Sequence, residues 1–352
     1  MKHIPTDIIK RCLKQSVKIL AYSYSVFIIC YFILKLIFWD RLSIIALIST
    51  FLPLILLPTF LLPIIGFSIV KKRWFSIISA ICCILLISWL HIKYFSPAPI
   101  NITDSQPSIK ILSHNVGWYT TQSPTLFKLI EREKPDIIFL QEIVQKHIER
   151  AFTWLKADYP YQIGIPPVGI LSKYPIISSE ILHLAGHPET QQRAIIKLNE
   201  QEVVIYNMQA TGPWFKRYNI LHFLKIPVYK YGQRGPEIQD LVQRVEQETL
   251  PVIVAGDFNM TDETQDYYNV QKVMQDSFRK SGLGFGFTWP HGWELKFLVK
   301  SSNLKLNYPV CRIDYIWYSK HWGAKSSAVL NATESDHLPV GAELVLLKTQ
   351  NS

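Results

Sequence analysis

Cysteine is scarce in the larger part of this 352-residue chain. Of five cysteines, Cys12, Cys30, Cys82 and Cys83 fall in the first hundred residues, and Cys311 stands alone beyond them. That excludes a disulfide framework and a cysteine-based metal site, and leaves Cys311 as a single buried thiol. Acidic residues are scarce in the first hundred positions, where only Asp7 and Asp40 oppose eleven Lys/Arg. Of the 37 basic and 27 acidic residues in all, 26 and 25 lie after position 100, so all but one unit of the formal charge of +10 belongs to the N-terminal segment. A nearly neutral C-terminal part argues against tight binding of long duplexes, which needs many cationic phosphate contacts. Internal repeats, low-complexity runs and a small-residue cleavage site after the first apolar run are all missing, and the last of these argues against a cleaved signal peptide.

What the N-terminal part does have is three apolar runs, Leu20 to Trp39, Ser43 to Val70 and Phe75 to Leu90. They are apolar on every face, which a soluble core helix is not, and predict an all-α transmembrane region over residues 1–95. Pro53, Pro58 and Pro63 predict a kinked helix or a re-entrant hairpin in the second run. Lys2, Lys10, Arg11, Lys14 and Lys18 before the first run, with Lys71, Lys72 and Arg73 after the second, place the N-terminus and second loop in the cytoplasm. Three spans then put the rest of the chain on the extracytoplasmic side, whereas a hairpin at 43–70 would return it to the cytoplasm. Residues 96–108, opening with Ser96-Pro97-Ala98-Pro99, read as a semi-rigid linker.

From 109 to 348 the chain alternates strand-like and helix-like pieces. Its key stretch is Val252-Ile253-Val254-Ala255-Gly256-Asp257-Phe258-Asn259. Four apolar residues read as a buried internal strand, ended by a glycine and followed by two polar side chains. Further strands are expected at Ile109 to Ser113, Asp136 to Leu140, Val168 to Leu171, Ile176 to Leu184, Ala194 to Leu198, Val203 to Met208, Ile313 to Tyr318 and Val340 to Leu347. Helices are expected from Ser123-Pro124 to Glu131, from Val144 to Leu155, over Gly235 to Thr249 and near Tyr267 to Gln275. Roughly ten strands with interspersed helices suggest two packed sheets flanked by helices.

Polar residues recur at the strand ends: Asn115, Gln141-Glu142, Asp257 and Asn259, Asp314, and Asp336-His337. One alone would be a solvated surface group or an Asx turn; five such places in one domain point to chemistry. Carboxylate, carboxamide and water oxygens are what a hard divalent cation prefers, which makes Glu142 and Asn115 the candidate metal ligands. Such a cation neutralises phosphate charge and polarises the P–O bond.

Ser113–Val116 (SHNV), Leu140–Ile143 (LQEI), Gly169–Pro175 (GILSKYP), Gly256–Asn259 (GDFN), Arg312–Ile316 (RIDYI) and Ser335–Val340 (SDHLPV) occur in this order. This ordered set resembles the endonuclease/exonuclease/phosphatase superfamily, the deoxyribonuclease I-like fold, in its membrane-anchored bacterial branch. The resemblance implies a four-layered α/β sandwich and cation-dependent cleavage of phosphate esters, with Mg²⁺ (or Mn²⁺) as cofactor. It implies that Glu142 and Asn115 bind the cation, that Asp257 orients or deprotonates the attacking water, and that Asn259 holds a phosphate oxygen. Asp336 would orient His337 on the scissile phosphate, and Asp314 would support the site. The sequence departs from the family at Asn207-Met208-Gln209, where many members end the strand in Asn-x-His. Gln209 can donate a hydrogen bond to phosphate but cannot carry a proton.

Two stretches mix aromatic and basic residues, Gly212 to Tyr231 and Phe285 to Leu306. They would stack on single-stranded nucleic acid, lie in a lipid interface, or pack on the domain. The expected function is thus a phosphoesterase of a bacterial inner membrane, acting on nucleic acid, phospholipid or a small phosphodiester. Its partners would be that substrate and the lipid bilayer, with no protein partner evident. The alternative is a non-catalytic membrane protein that binds phosphate-containing ligands through a degenerate site.

Overall fold

The computed structural model describes residues 6–98, 108–117, 124–188, 190–221, 224–230, 232, 234–294, 304–331 and 334–347. The chain divides into two compact units, Met1–Phe95 and Ser96–Ser352.

In the first unit, α1 (Thr6–Phe38) and α5 (Arg73–Tyr94) are long apolar helices. Between them lie α2 (Ser43–Thr50), α3 (Leu52–Ile55) and α4 (Leu62–Ile65), linked by a 3-10 turn over Leu57–Leu61. Pro53, Pro58 and Pro63 each sit in the first turn of a new piece, where the missing N–H has no intrahelical acceptor to lose. Thr6–Arg41, Leu52–Val70 and Arg73–Tyr94 are each long and apolar enough to cross a membrane. The first helix starts well before Leu20, because the basic stretch at 10–18 simply continues it. Tyr24 and Tyr31 of α1 make hydroxyl contacts with Thr59 (2.8 Å) and Ser49 (3.0 Å), tying the broken segment to the long helix.

The second unit runs β1 (Ser108–Asn115), α6 (Pro124–Glu133), β2 (Ile137–Gln141), α7 (Gln145–Trp154), β3 (Tyr161–Ile165), β4 (Val168–Ser172), β5 (Ile176–Leu182), β6 (Gln191–Leu198) and β7 (Gln201–Gln209). It continues with β8 (Trp214–Leu221), β9 (Leu224–Lys230), α8 (Arg234–Gln247), β10 (Val252–Asp257), α9 (Gln265–Gln271), β11 (Gln275–Asp276) and α10 (Ser277–Ser281). It ends with β12 (Trp293–Glu294), β13 (Lys305–Leu306), β14 (Asp314–Tyr318), β15 (Trp322–Val329) and β16 (Val340–Leu346). One six-stranded sheet has the order β15-β16-β1-β2-β4-β3 and the other β11-β14-β10-β7-β6-β5. Most pairs are antiparallel; β1–β2 and β10–β7 are parallel.

Strand periodicity sorts the side chains into layers. Ile109 and Ile111 of β1, Ile137 and Phe139 of β2, Val203 and Ile205 of β7, Ile253 and Ala255 of β10 and Ile316 of β14 fill the core between the sheets. Their neighbours one residue on pack outward. Leu112, Ile138 and Leu140 face α6 and α7, while Val204, Val252 and Val254 face α8 and α9. The result is the expected helix–sheet–sheet–helix sandwich. Burying each inward Ile or Val contributes about 1.5–3 kcal/mol, so these runs fix the registers. The expected strands are all present within a few residues; β3, β15, the β8–β9 ribbon and the two-residue strands β11, β12 and β13 are not among them.

Candidate active site

The same parity that builds the core builds the site. In β1, β7, β10 and β14 the inward positions run Ile109, Ile111, Ser113, Asn115; Val203, Ile205, Asn207, Gln209; Ile253, Ala255, Asp257; and Asp314, Ile316, Tyr318. At one end of the intersheet layer the apolar side chains stop and polar ones take over. Register aligns them: Asp257 stands opposite Gln209 on one side and Asp314 on the other. Just inside the cleft, Gln141 donates to the Asn207 side chain (2.7 Å), and Asn207 donates to the Leu140 and Gly169 carbonyls (3.1 and 3.0 Å), bonding sheet to sheet. These bonds satisfy the buried Asn207 amide, which would otherwise be costly at the core boundary.

Asp257 is 1 % exposed and is gripped from several directions. The Asn115 amide donates to it at 3.0 Å, the Asn259 backbone N–H at 2.8 Å, the Asn259 amide at 3.2 Å and the Gln209 amide at 3.3 Å. Burial, then the neighbouring Asp314 carboxylate, pushes its carboxyl up to about 7. Gly256 makes this packing possible: at φ 145°, a Cβ there would meet the Met208 carbonyl oxygen at 2.0 Å. Asn259 takes φ 50°, the left-handed region that Asn tolerates. Its amide also donates to the Ala210 carbonyl at 2.8 Å. Both amide hydrogens are engaged in this way, so Asn259 clamps Asp257.

Glu142 follows β2 in the left-handed region, at φ 52°, which swings its carboxylate towards Gln209 (3.4 Å). Its carboxyl is raised by burial, against a lowering by Asn115. Gln209 thus bridges Glu142 and Asp257, and its own carbonyl oxygen is buried with no hydrogen-bond partner among the described residues. A bound group that accepts this oxygen is what such an orphan calls for.

His337 corrects one expectation. The carboxylate that meets its Nδ1 belongs to Asp314, at 3.0 and 3.2 Å, and not to Asp336. Asp336 instead accepts the Trp289 indole N–H at 3.2 Å. The reason is geometric: Asp336 and His337 sit in a bend before β16 with their side chains turned to different partners, and Asp314 reaches His337 from β14. Burial alone would lower the His337 imidazole, but the charge of Asp314 and its hydrogen bond outweigh that and raise it to about 10. The adjacent His114 goes the other way: burial, then the charge of His337, lowers it to about 3, so it stays neutral.

Asp257, Asp314 and His337 offer ligand atoms that all lie within 4.8 Å of one another. The tightest candidate group is therefore this triad, with the expected ligands Glu142 and Asn115 joined to it through Gln209 and Asp257. Oxygen donors from three carboxylates and two carboxamides suit a hard divalent cation, and the unpartnered Gln209 oxygen fits the same demand.

Two supporting residues were missed. Ser335 donates to the Asn115 carbonyl (2.7 Å) and accepts the His337 N–H (3.0 Å). Arg234, 2 % exposed, is anchored by Asp266 (2.9 Å) and holds the Asn259 carbonyl. The Ser-Asp-His motif contained the first; nothing local signalled the second. The Phe285–Leu306 stretch is described only in part, with Phe285 stacked on Phe287 and Trp289 beside Trp293; positions 295–303 lie outside the described residues.

The profile of the Endonuclease/Exonuclease/phosphatase family matches residues 112–337. No curated protein matches the chain. Among solved structures, an endonuclease/exonuclease/phosphatase from Bacteroides vulgatus superposes with a TM-score of 0.53 at 16% identity, covering 69% of this chain and 100% of that one. A family protein from Bacteroides thetaiotaomicron gives 0.51 at 19% identity, covering 69% and 99%. D. rerio TDP2, complexed with a single-strand DNA product, gives 0.50 at 18% identity, covering 68% and 99%. The ordered motifs, the two-sheet sandwich and the matched profile agree: the chain belongs to the endonuclease/exonuclease/phosphatase family, hydrolases acting on phosphoester bonds.

Proposed function

We propose that the chain is a membrane-anchored, Mg²⁺-dependent phosphodiesterase whose catalytic domain, 109–348, lies on the extracytoplasmic side of a bacterial inner membrane. The observation that carries it is the excess of buried negative charge: Glu142, Asp257 and Asp314 converge with His337 as partner. Mg²⁺ held by Glu142 and Asn115, with the Asp257–Asp314–His337 group beside it, would neutralise phosphate charge and polarise the P–O bond. Mn²⁺ would serve in its place. Asp257, clamped by Asn259 and Asn115, orients water and takes its proton. Asp314 fixes one tautomer of His337 and keeps the ring protonated, so that Nε2 donates to a phosphate oxygen as charge builds in the transition state. Gln209 donates to phosphate or holds a water; it carries no proton, so protonation of the leaving group falls to His337 or to solvent. Three apolar helices and a basic N-terminal flank support anchoring and sidedness.

The test is turnover by the purified full-length chain with Mg²⁺ on plasmid DNA, phospholipid vesicles and a small phosphodiester. At least one should be hydrolysed, with Glu142→Ala and Asp257→Ala silent. Binding of phosphate ligands without any turnover would sink the catalytic reading.

A further inference from the structure

Beyond the pairing of Gln209 with Asp257, β7 ends, yet the chain that follows stays buried at Ala210 and Thr211. Backbone groups that leave a ladder inside a protein must find other partners. Here the site and side chains outside it supply them. The Ala210 N–H donates to the Asp257 main-chain carbonyl (2.9 Å), and the Ala210 carbonyl accepts the Asn259 amide. Gln191, fully buried, donates to the Gln209 carbonyl at 2.7 Å. The Thr211 N–H and hydroxyl both donate to Glu237, at 2.8 and 2.6 Å.

Glu237 breaks the pattern of its own helix. The buried positions of α8 are Arg234, Glu237, Ile238, Leu241 and Val245, the spacing of a single inward stripe. Ile238, Leu241 and Val245 fill that stripe with apolar side chains, as a helix lying on a sheet requires. A fully buried carboxylate among them is costly unless donors meet it. Three do: the two of Thr211, and Nδ1 of His187 at 2.9 Å. Glu237 also sits in the first turn of α8, where the helix dipole favours negative charge. An amide in its place would offer one acceptor oxygen instead of two. His187 and Gln191 belong to one loop, so that loop and α8 together hold residues 209–211 from outside the cleft.

Residues 209–211 carry much of the grip on Asp257. Gln209 donates to Asp257 and Glu142, and Ala210 fixes the Asn259 amide that donates to Asp257. We propose that Glu237 is a positioning residue for phosphoester hydrolysis: through Thr211 it seats residues 209–211, and with them Gln209 and Asn259 around Asp257. The role in hydrolysis rests on the phosphodiesterase reading above; the seating does not. Glu237 takes no part in proton transfer and sets the place from which Asp257 acts.

The test compares Glu237→Gln and Thr211→Val with Val245→Ala, a truncation in the same stripe about two turns further along α8. Each full-length chain is assayed with Mg²⁺ on bis(p-nitrophenyl) phosphate. Glu237→Gln should lower kcat about thirtyfold and Thr211→Val about tenfold, with KM unchanged, because only the transition state loses. Val245→Ala should lower the thermal midpoint and leave kcat as it is. Hydrogen exchange supplies a readout besides turnover. The Asn259 N–H donates to Asp257 and not to Glu237, yet it should exchange at least about tenfold faster in Glu237→Gln, with the amides of β16 unaltered. An unchanged kcat in Glu237→Gln and Thr211→Val, or an equal fall in Val245→Ala, overturns the proposal, as does unchanged exchange at Asn259. If Glu237→Gln does not fold, Thr211→Val decides by the same criteria. An unaltered chain that hydrolyses none of the phosphoesters tested refutes the phosphodiesterase reading, and the exchange at Asn259 still decides the seating.

Discussion

Two clusters of buried charge in the domain are built differently. Behind the site, Arg312 is 2 % exposed and donates to Asp276 (2.6 Å) and Asp262 (3.2 Å), with Arg279 closing on Asp262 at 2.8 Å. Tyr267 donates to Asp276, and the Arg312 guanidinium lies 4.4 Å over the Tyr315 ring. Two cations there meet two carboxylates. At the cleft, Glu142, Asp257 and Asp314 share one imidazolium. The first cluster is neutral by itself and serves the fold; the second is left incomplete by the protein's own side chains. Buried charge that is balanced holds structure together, whereas buried charge left in deficit marks the place where something else binds.

The largest effect expected from this contrast is catalytic. Asp257→Asn keeps the shape of the cluster but removes the proposed base, and kcat should fall by about a thousandfold with the fold intact by circular dichroism. Next comes stability, with opposite signs at the two clusters. Arg312→Ala strands Asp262 and Asp276 and should cost about 3–5 kcal/mol, seen as a large drop in thermal midpoint. Glu142→Gln should raise the midpoint in EDTA, because it removes one of three mutually repelling charges, and should abolish the upward shift that Mg²⁺ gives the unaltered chain.

The pH dependence sharpens the same point. Asp257, raised to about 7 by burial and Asp314, keeps in the folded chain a proton that the unfolded chain loses near its ordinary 3.8. Between those values stability falls as pH rises. His337, raised to about 10 by Asp314 against the effect of burial, contributes stability that is full below 6.5 and lost as pH climbs through 10. Both act in one direction, so the cation-free chain should have a higher thermal midpoint near about pH 5 than near about pH 9. Saturating Mg²⁺ should flatten that slope, and a slope of the opposite sign would contradict the charge deficit. The smallest effect is expected at the latch: Ser335→Ala removes two hydrogen bonds and should lower stability by about 1 kcal/mol, with a modest loss of kcat.

Much of this was legible in the sequence because the site coincides with strand ends. Apolar runs such as Ile137 to Leu140 and Val252 to Ala255 announce internal strands, and the polar residues that end them fall on the inward parity without further information. Strand β15 was hidden because its middle, Lys325 and Ser326, is exposed and bulged, and only pairing with β16 makes it a strand. Strand β3 was hidden for a packing reason: Gly164 has no side chain because Ile148 and Phe152 of α7 lie 2.6 Å from where its Cβ would be. At the site, the Asp314–His337 pair joins residues 23 apart in sequence and was misassigned to the adjacent Asp336. Arg234 was missed because a buried arginine opening a helix looks like any solvated one until Asp266 and Asn259 are brought to it.

Ser335 binds the carbonyl of Asn115 across 220 positions, and β1 finds its antiparallel neighbour in β16. The first strand of the domain therefore waits for the last. A nascent chain released before residue 335 would already own Glu142, Asp257 and Asp314, yet would have neither the histidine nor the stitch that seats it. Competence for hydrolysis would arrive only with the segment that carries Ser335 and His337, so copies terminated before it would be inert.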